Sequence, residues 1–343
     1  MYPTAMRAIV AALLAFVTLA AMPALAQDGE KMVQVDPEAW RAFLVELRAE
    51  AAADGIREDI LSEALDGLQP IRRVIQLDRA QPEFTITFQQ YLDRVVPQFR
   101  IDRARTKRAE NRELLDSVED KIGVPSHFIV ALWGIETDFG RITGGFKVIR
   151  ALATLAFDDR RAKFFRRELL AALQILNEGH IAPADMVGSW AGAMGQAQLM
   201  PTSFVAYSVD FDGDGRRDVW NSKADVFGSA ANFLKTEGWL TDETWGFEVR
   251  LPDGLDAETW ASKVELLGLK VKKPVAEWQA LGLRLEGGGD LPDPGYEVSV
   301  LHPDQGAERA FLIFENFRNI LKWNRSNNFA LAVGLLADAI EAP

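Results

Sequence analysis

The chain has 343 residues, 48% of them apolar and 26% charged, a length and balance that support about two structural units with a buried core and exclude a disordered chain or a small disulfide-stapled scaffold. Thirty-eight Lys and Arg against 50 Asp and Glu leave a formal net charge of −12, which argues against a phosphate backbone as the main partner. No cysteine is present, so disulfides, thiolate catalysis and iron–sulfur ligation are excluded, and the scattered His127, His180 and His302 give no paired metal spacing.

At the amino terminus, Arg7 precedes an apolar run that ends at Met22, and Pro23-Ala24-Leu25-Ala26 follows. This is the order of a secretory signal, cleaved after Ala26 and covering residues 1–26. A retained membrane anchor is the competing reading, but the run is short of the ~20 residues that span a bilayer. With no cysteine to carry a lipid, the mature chain is expected in the periplasm with no stable membrane anchor.

Most of the mature sequence carries helical spacing. Asp36-Pro37 supplies a cap and a first-turn proline, Trp40, Phe43, Leu44 and Leu47 share one face, and Gly55 closes the run. Phe165, Leu169, Ala172, Leu173 and Leu176 repeat the pattern before Gly179, as do Phe227, Ala230, Ala231 and Leu234 before Gly238. Either basic run, Arg100–Arg108 or Arg160–Arg167, could face an anionic polymer such as a carboxylate-bearing glycan, but charge runs on helices are more often solvated faces making weak ion pairs, and both are read so. From about 245 to 314 the chain turns β-prone, with runs at 247–251, 296–301 and 310–314 between Gly- and Pro-rich turns. Helix returns from Glu315 to Ile340. The expected division is an N-terminal helical region (27–115), a helical core (116–244), a small β-containing region (245–314) and a C-terminal helix (315–343).

Three segments carry chemistry. In 123–140, Pro125 can open a helix and Gly140 can end it, and Glu136 lies among apolar residues including Leu132 and Trp133. Such surroundings disfavour the charged carboxyl and suit a general acid, although an exposed or arginine-paired glutamate is the ordinary alternative. In 188–201, small residues alternate with Ser189, Gln196 and Gln198. That composition fits equally a groove for a polar sugar or peptide and a tight helix–helix contact. In 210–221, Asp210, Asp212, Asp214 and Asp218 occupy positions 1, 3, 5 and 9 with Gly215 at position 6, the front of an EF-hand loop. Position 7 is Arg216, which offers its carbonyl, and position 12 is Asn221 rather than glutamate, so Asp225 is expected to close the site. A plain Asp-Gly turn remains the alternative to calcium.

The ordered set Trp133-Gly-Ile-Glu136-Thr-Asp-Phe-Gly140, Ala151-Leu-Ala-Thr-Leu155, Gly188-Ser-Trp-Ala-Gly-Ala-Met-Gly195 and the Asp-rich loop resembles the lytic murein transglycosylase B family, glycoside hydrolase family 103. The resemblance extends to Gln81-Pro-Glu83, Tyr91 and the segment from Trp323 to Ala330. It implies a mainly α, lysozyme-like catalytic core whose groove the C-terminal helix completes. It also implies peptidoglycan glycan strands as partner, Glu136 as sole acid and base, and structural Ca2+ in the Asp210 loop. Glycan contacts are implied at Ser189, Gln198, Tyr91 and Asn324, and at the aromatics Phe233, Trp323 and Phe329. In the implied reaction one carboxylate suffices, because the sugar's own C6 hydroxyl replaces water and closes a 1,6-anhydro ring.

The sequence departs from the family pattern at Leu199, where an aromatic is usual, and at Phe233, Trp323 and Phe329, where tyrosine is common. Those departures motivate an alternative, a non-catalytic peptidoglycan-binding or scaffold protein on the same fold. A muramidase giving hydrolytic products is a further one.

Overall fold

The structure is a computed structural model that describes residues 36–80, 86–252, 271–303 and 309–342. The expected signal sequence and Gln81-Pro-Glu83 lie outside the described residues. No helix among the described residues is long and apolar enough to cross a membrane. The chain divides into two compact units, one running to Thr241 and resuming at Leu335, the other spanning Asp242–Gly334.

In the first unit, helix α1 (Pro37–Ala53) begins as its cap predicts, with the Asp36 carboxylate accepting the Glu38 N–H at 2.9 Å. Helices α2 (Glu58–Leu65), α3 (Arg72–Arg79), α4 (Phe88–Val95), α5 (Gln98–Glu110) and α6 (Arg112–Ile122) follow. They lead to α7 (Ser126–Thr137), in which every residue is buried, the behaviour of a helix that is apolar on all sides. Strand β1 (Phe146–Lys147) pairs antiparallel with β2 (Val187–Gly188). Between them α8 (Val148–Phe157) packs on α9 (Ala162–Asn177), and α10 (Pro201–Tyr207) and α11 (Lys223–Thr236) follow. Both α9 and α11 bury the apolar residues their spacing selects and stop before the left-handed Gly179 and Gly238.

The second basic run is solvated only in part: Arg160, Lys163 and Arg167 are exposed, while Arg161 and Arg166 are half-buried. Arg160 and Arg161 both hold the carboxylate of Asp78, which is buried on α3, and Arg166 donates to Glu50 of α1 at 2.6 Å. A carboxylate that deep needs such partners, because its charge would otherwise be desolvated without compensation.

The second unit carries the expected β content. Strands β3 (Gly246–Arg250), β4 (Arg284–Leu285), β5 (Ser299–Leu301) and β6 (Ala310–Ile313) form one antiparallel sheet in the order β4-β3-β6-β5. Helix α12 (Val275–Ala280) adds Trp278 to the core of Val249, Val298, Val300, Leu312 and Phe314. Glu315 to Ile340 is two helices rather than one, α13 (Glu315–Trp323) and α14 (Asn327–Glu341). Asn324 is extended there, its side chain accepts the Ser326 N–H at 3.0 Å, and Ser326 Oγ accepts the Phe329 N–H at 3.3 Å. Short polar side chains that bond their own backbone in this way compete with helix continuation.

Candidate active site

Glu136 is the penultimate residue of α7 and only 7% exposed. The helix ends earlier than Gly140 predicts, because Asp138 and Phe139 already take left-handed backbone angles, with φ of 50° and 63°. Two consecutive non-glycine residues in that region are uncommon and carry conformational strain. The reversal throws Phe139 back over the helix, where its ring meets Trp133 edge-on at 5.5 Å and covers Gly134. A Cβ on Gly134 would sit 2.7 Å from that ring, so the helix needs glycine at this position.

The segment 188–200 is neither a helix–helix contact nor an open polar strip. It is a loop folded on itself by the bridges Gly188–Met194 and Met194–Leu199, with Ser189 N–H donating to Ala193 O at 2.8 Å. Its glycines lie where backbones touch: a Cβ on Gly144 would fall 2.1 Å from Gly188 O, and one on Gly195 would fall 2.4 Å from Val219 O. Gln196 is the lock between loop and helix. Its side chain accepts from Trp133 Nε1 and donates to Trp220 O, both at 2.9 Å, while its carbonyl accepts from Thr137 Oγ1 at 2.7 Å. The Gln196 side chain and carbonyl are therefore spent on the protein.

Ser189 and Gln198 keep usable groups. Ser189 Oγ accepts the Ala193 N–H at 2.9 Å, which leaves its O–H as a donor. Gln198 is left-handed (φ 50°), and its Nε2 donates to Gly195 O at 2.8 Å and Thr143 O at 3.1 Å. Its Oε1 remains as an acceptor.

Asp138 gathers a charge cluster that sequence reasoning missed, since Arg100 and Arg103 were assigned to a solvated face. Arg103 and Arg141 each approach its carboxylate at 2.7 Å, and Arg100 Nε lies 4.0 Å away. Burial alone pushes the Asp138 carboxyl up, but hydrogen bonds from Arg141 and Arg103 and their charges outweigh it and hold the group below the ordinary carboxylate range. A lowered folded value means that stabilisation by this carboxylate is complete well above its ordinary value of 3.8 and is lost as pH falls through the folded one. Asp138→Asn keeps a residue type tolerant of the left-handed angle and removes the charge. It should lower stability at pH 7 by roughly 3 kcal/mol, the low end for a broken buried pair because two of the arginines stay hydrated. Denaturant midpoints taken at pH 7 and pH 3 check this: the gap from the parent protein should close at the acid end.

In the Asp-rich loop, oxygens of Asp210, Asp212 and Asp214 lie within 4.8 Å of one another. Asp225 does not join them. It is fully buried, and its two oxygens accept the N–H groups of Phe211 and Asp218 at 2.8 and 2.6 Å. It braces both ends of the loop instead of closing a metal site. The Arg216 guanidinium pairs with Asp214 at 3.3 Å, so only its carbonyl is available to a cation. The remaining carboxylates supply the hard oxygen donors that calcium takes, and the residues present fit such an ion at positions 1, 3, 5 and 7.

Of the other expected contact residues, Tyr91 is half-buried on α4 and faces Arg100 electrostatically. Phe233 is buried on α11 against Tyr207, with ring centroids 4.4 Å apart. In the second unit, Trp323 is half-buried and Asn324 buried, whereas Phe329 is 0% exposed. Phe233 and Phe329 are thus core residues and not stacking surfaces. A buried tyrosine at either place would have to find a partner for its hydroxyl, and phenylalanine does not. Leu199, likewise buried, closes the glycine loop through its backbone.

Comparison with known proteins places this arrangement in context. The profile of the family described as Transglycosylase SLT domain matches residues 39–338. The membrane-bound lytic murein transglycosylase B of Escherichia coli is 35% identical over 225 residues, 64% of this chain, and the match spans 57% of the length of that curated relative. SltB3 of Pseudomonas aeruginosa, solved in complex with NAG-anhNAM-pentapeptide, superposes with a TM-score of 0.83 at 42% identity, over 88% of this chain and 80% of that one. The E. coli lytic transglycosylase SLT35, solved in complex with calcium, gives 0.74 at 27% identity, over 88% and 92% of the two chains.

Proposed function

The chain belongs to the transglycosylase SLT domain family, and on that premise we propose that it is a periplasmic lytic transglycosylase acting on peptidoglycan strands, with Glu136 as its one catalytic carboxylate. The observation that carries this reading is the contrast between the two carboxylates of the 123–140 segment. Glu136 is buried at the end of an apolar helix. Asp138 is consumed by arginines and held ionised. A hydrolytic pair needs two carboxylates facing one bond, and the Asp138 carboxylate of this segment is taken up by arginines.

In the proposed reaction, the Glu136 carboxyl gives its proton to the glycosidic oxygen between N-acetylmuramic acid and N-acetylglucosamine as the C1–O bond breaks. The resulting carboxylate then takes the proton of the C6 hydroxyl, whose oxygen bonds to C1 and closes the anhydro ring. The internal hydroxyl needs no recruited nucleophile, which is a proximity gain. The Ser189 O–H, left over after the oxygen accepts from Ala193 N–H, donates to the carbonyl of the 2-acetamido group as charge develops. Gln198 Oε1 accepts a sugar hydroxyl, its amide being fixed by Gly195 and Thr143. Tyr91, half-buried on α4 of the same unit, completes these contacts. Phe233 and Phe329 are buried, so their departures from tyrosine give no support to a purely binding protein.

Mass spectrometry of the soluble products from purified peptidoglycan tests the reading. Anhydromuropeptides are expected. Reducing ends would make the protein a muramidase, and wall binding with no released product would make it a scaffold.

We further infer that Asp210, Asp212, Asp214 and the Arg216 carbonyl hold calcium as a structural ion that supplies charge neutralisation for the acidic loop. Binding to the folded state alone stabilises it, by about 2.7 kcal/mol at a hundredfold excess over Kd. Chelation should therefore lower the melting temperature by several degrees, and calcium alone should restore it. An unchanged Tm with chelator would sink the assignment.

A further inference from the structure

Three guanidinium groups share a single carboxylate two residues beyond Glu136. Arg103 and Arg141 each contact Asp138 at 2.7 Å, and Arg100 lies 4.0 Å away with a buried Nε that has no hydrogen-bond partner. One arginine would suffice to tie α5 to the turn after α7. The second and third leave positive charge unbalanced at that spot, in a chain whose formal net charge is −12. The Arg103 and Arg141 side chains are 39% and 65% exposed, so each presents unused N–H groups to solvent while Asp138 holds its base in place. Arg103 is further set over the exposed ring of Phe99, 5.9 Å from its centroid. A planar guanidinium with free N–H groups, prevented from wandering, is the standard device for gripping a carboxylate.

Resting on the transglycosylase reading, we propose that Arg103 and Arg141, positioned by Asp138, bind a carboxylate of the stem peptide carried by the muramic acid that Glu136 acts on. The glycan itself is uncharged once its lactyl group is amidated, so the anionic part of the substrate is the peptide. Reach is not limiting: two Cα atoms two residues apart lie at most about 7 Å from each other, and an extended pentapeptide spans roughly 17 Å. The arginines would thereby set a preference for strands that still bear their peptides.

The test measures strand binding by the full chain carrying Glu136→Gln, so that nothing is cut, with and without Arg103→Gln plus Arg141→Gln. The ligands are peptidoglycan strands with intact stems and the same strands stripped by an amidase, with the lactyl carboxylates so freed converted back to simple amides to leave the glycan uncharged. The Glu136→Gln protein should bind stem-bearing strands about 10-fold more tightly than stripped ones, the scale of charge-assisted contacts at a hydrated site. The arginine replacements should bring that ratio close to one, and Arg141→Lys, which keeps the charge, should retain part of the preference. A ratio that survives both replacements, or no preference before them, overturns the proposal. A purely structural role would lower the melting temperature and both affinities together and leave the ratio intact, which also overturns it. Digestion of both strand types by the unaltered chain is followed alongside. If neither is cut, the catalytic reading fails while the binding ratio still decides this one.

Discussion

Glu136→Gln should reduce release of soluble muropeptides on the order of 10²–10⁴-fold, the range over which a positioned general acid acts. Glutamine keeps the volume and hydrogen-bonding outline of the side chain, so packing around the end of α7 persists, but an amide has no proton to give to a departing sugar oxygen and no basicity to take one from the C6 hydroxyl. Both halves of the proposed reaction fail together. For that reason the residual products should show neither anhydro nor reducing ends in excess. The melting temperature should stay within a few degrees of the parent value, because the change swaps one buried polar group for another of the same shape. Full activity in this variant would move the chemistry to another residue. A loss accompanied by unfolding would be read again with Glu136→Asp, which keeps the acid and withdraws it by one methylene; its activity should fall steeply while remaining measurable.

The second large effect is expected at a residue with no chemistry. Gly144→Ala would place a methyl 2.1 Å from Gly188 O and 2.8 Å from Ser189 N, at a φ of +96°. Neither neighbour is a flexible side-chain end, so the loop has to move. The left-handed angle and the overpacking together should cost on the order of 3–5 kcal/mol. Ser189 would shift with its backbone, and activity measured below the new melting point should drop by at least about tenfold, since sub-ångström placement is what such a group contributes. Gly55→Ala serves as the control. Its φ is +88°, yet a Cβ there meets nothing within 4 Å, so about 1 kcal/mol of conformational cost should appear with activity unchanged. Equal penalties at the two sites would show that the close approach to Gly188 carries no weight.

Elements held by their own spacing were readable from the chain. Helix α1 starts on Asp36-Pro37, and α9 and α11 bury the predicted faces and stop at Gly179 and Gly238. What failed depended on partners distant in sequence. Gly140 looked like the stop of α7, but the left-handed turn comes first at Asp138, whose carboxylate is held by arginines of α5 as well as by Arg141. Arg160 and Arg161 looked solvated because nothing near them reveals Asp78 on α3. The small residues of the 188–200 segment fitted two readings equally, since the surfaces they accommodate belong to Gly144, Leu152 and Val219. Asp225 looked like the twelfth-position substitute by charge alone, and its burial beneath Phe211 and Asp218 was not visible. Gln196 and Gln198 are equivalent in composition; only the Trp133 and Trp220 contacts mark Gln196 as the lock.

The self-folded glycine loop also bears on the thermodynamics of ligand arrival. Its amides at Ser189, Met194, Gln196 and Leu199 all donate to backbone carbonyls, although almost none of it is regular secondary structure. Fixing a free backbone residue costs about 1–2 kcal/mol of conformational entropy, and here that ordering is complete when the chain folds. A glycan strand reaching Ser189 and Gln198 has no loop to freeze, so its polar contacts act with little entropy set against them. Hydrogen exchange at these amides should accordingly be slow and governed by opening of the unit around them, with the loop behaving kinetically as part of the core.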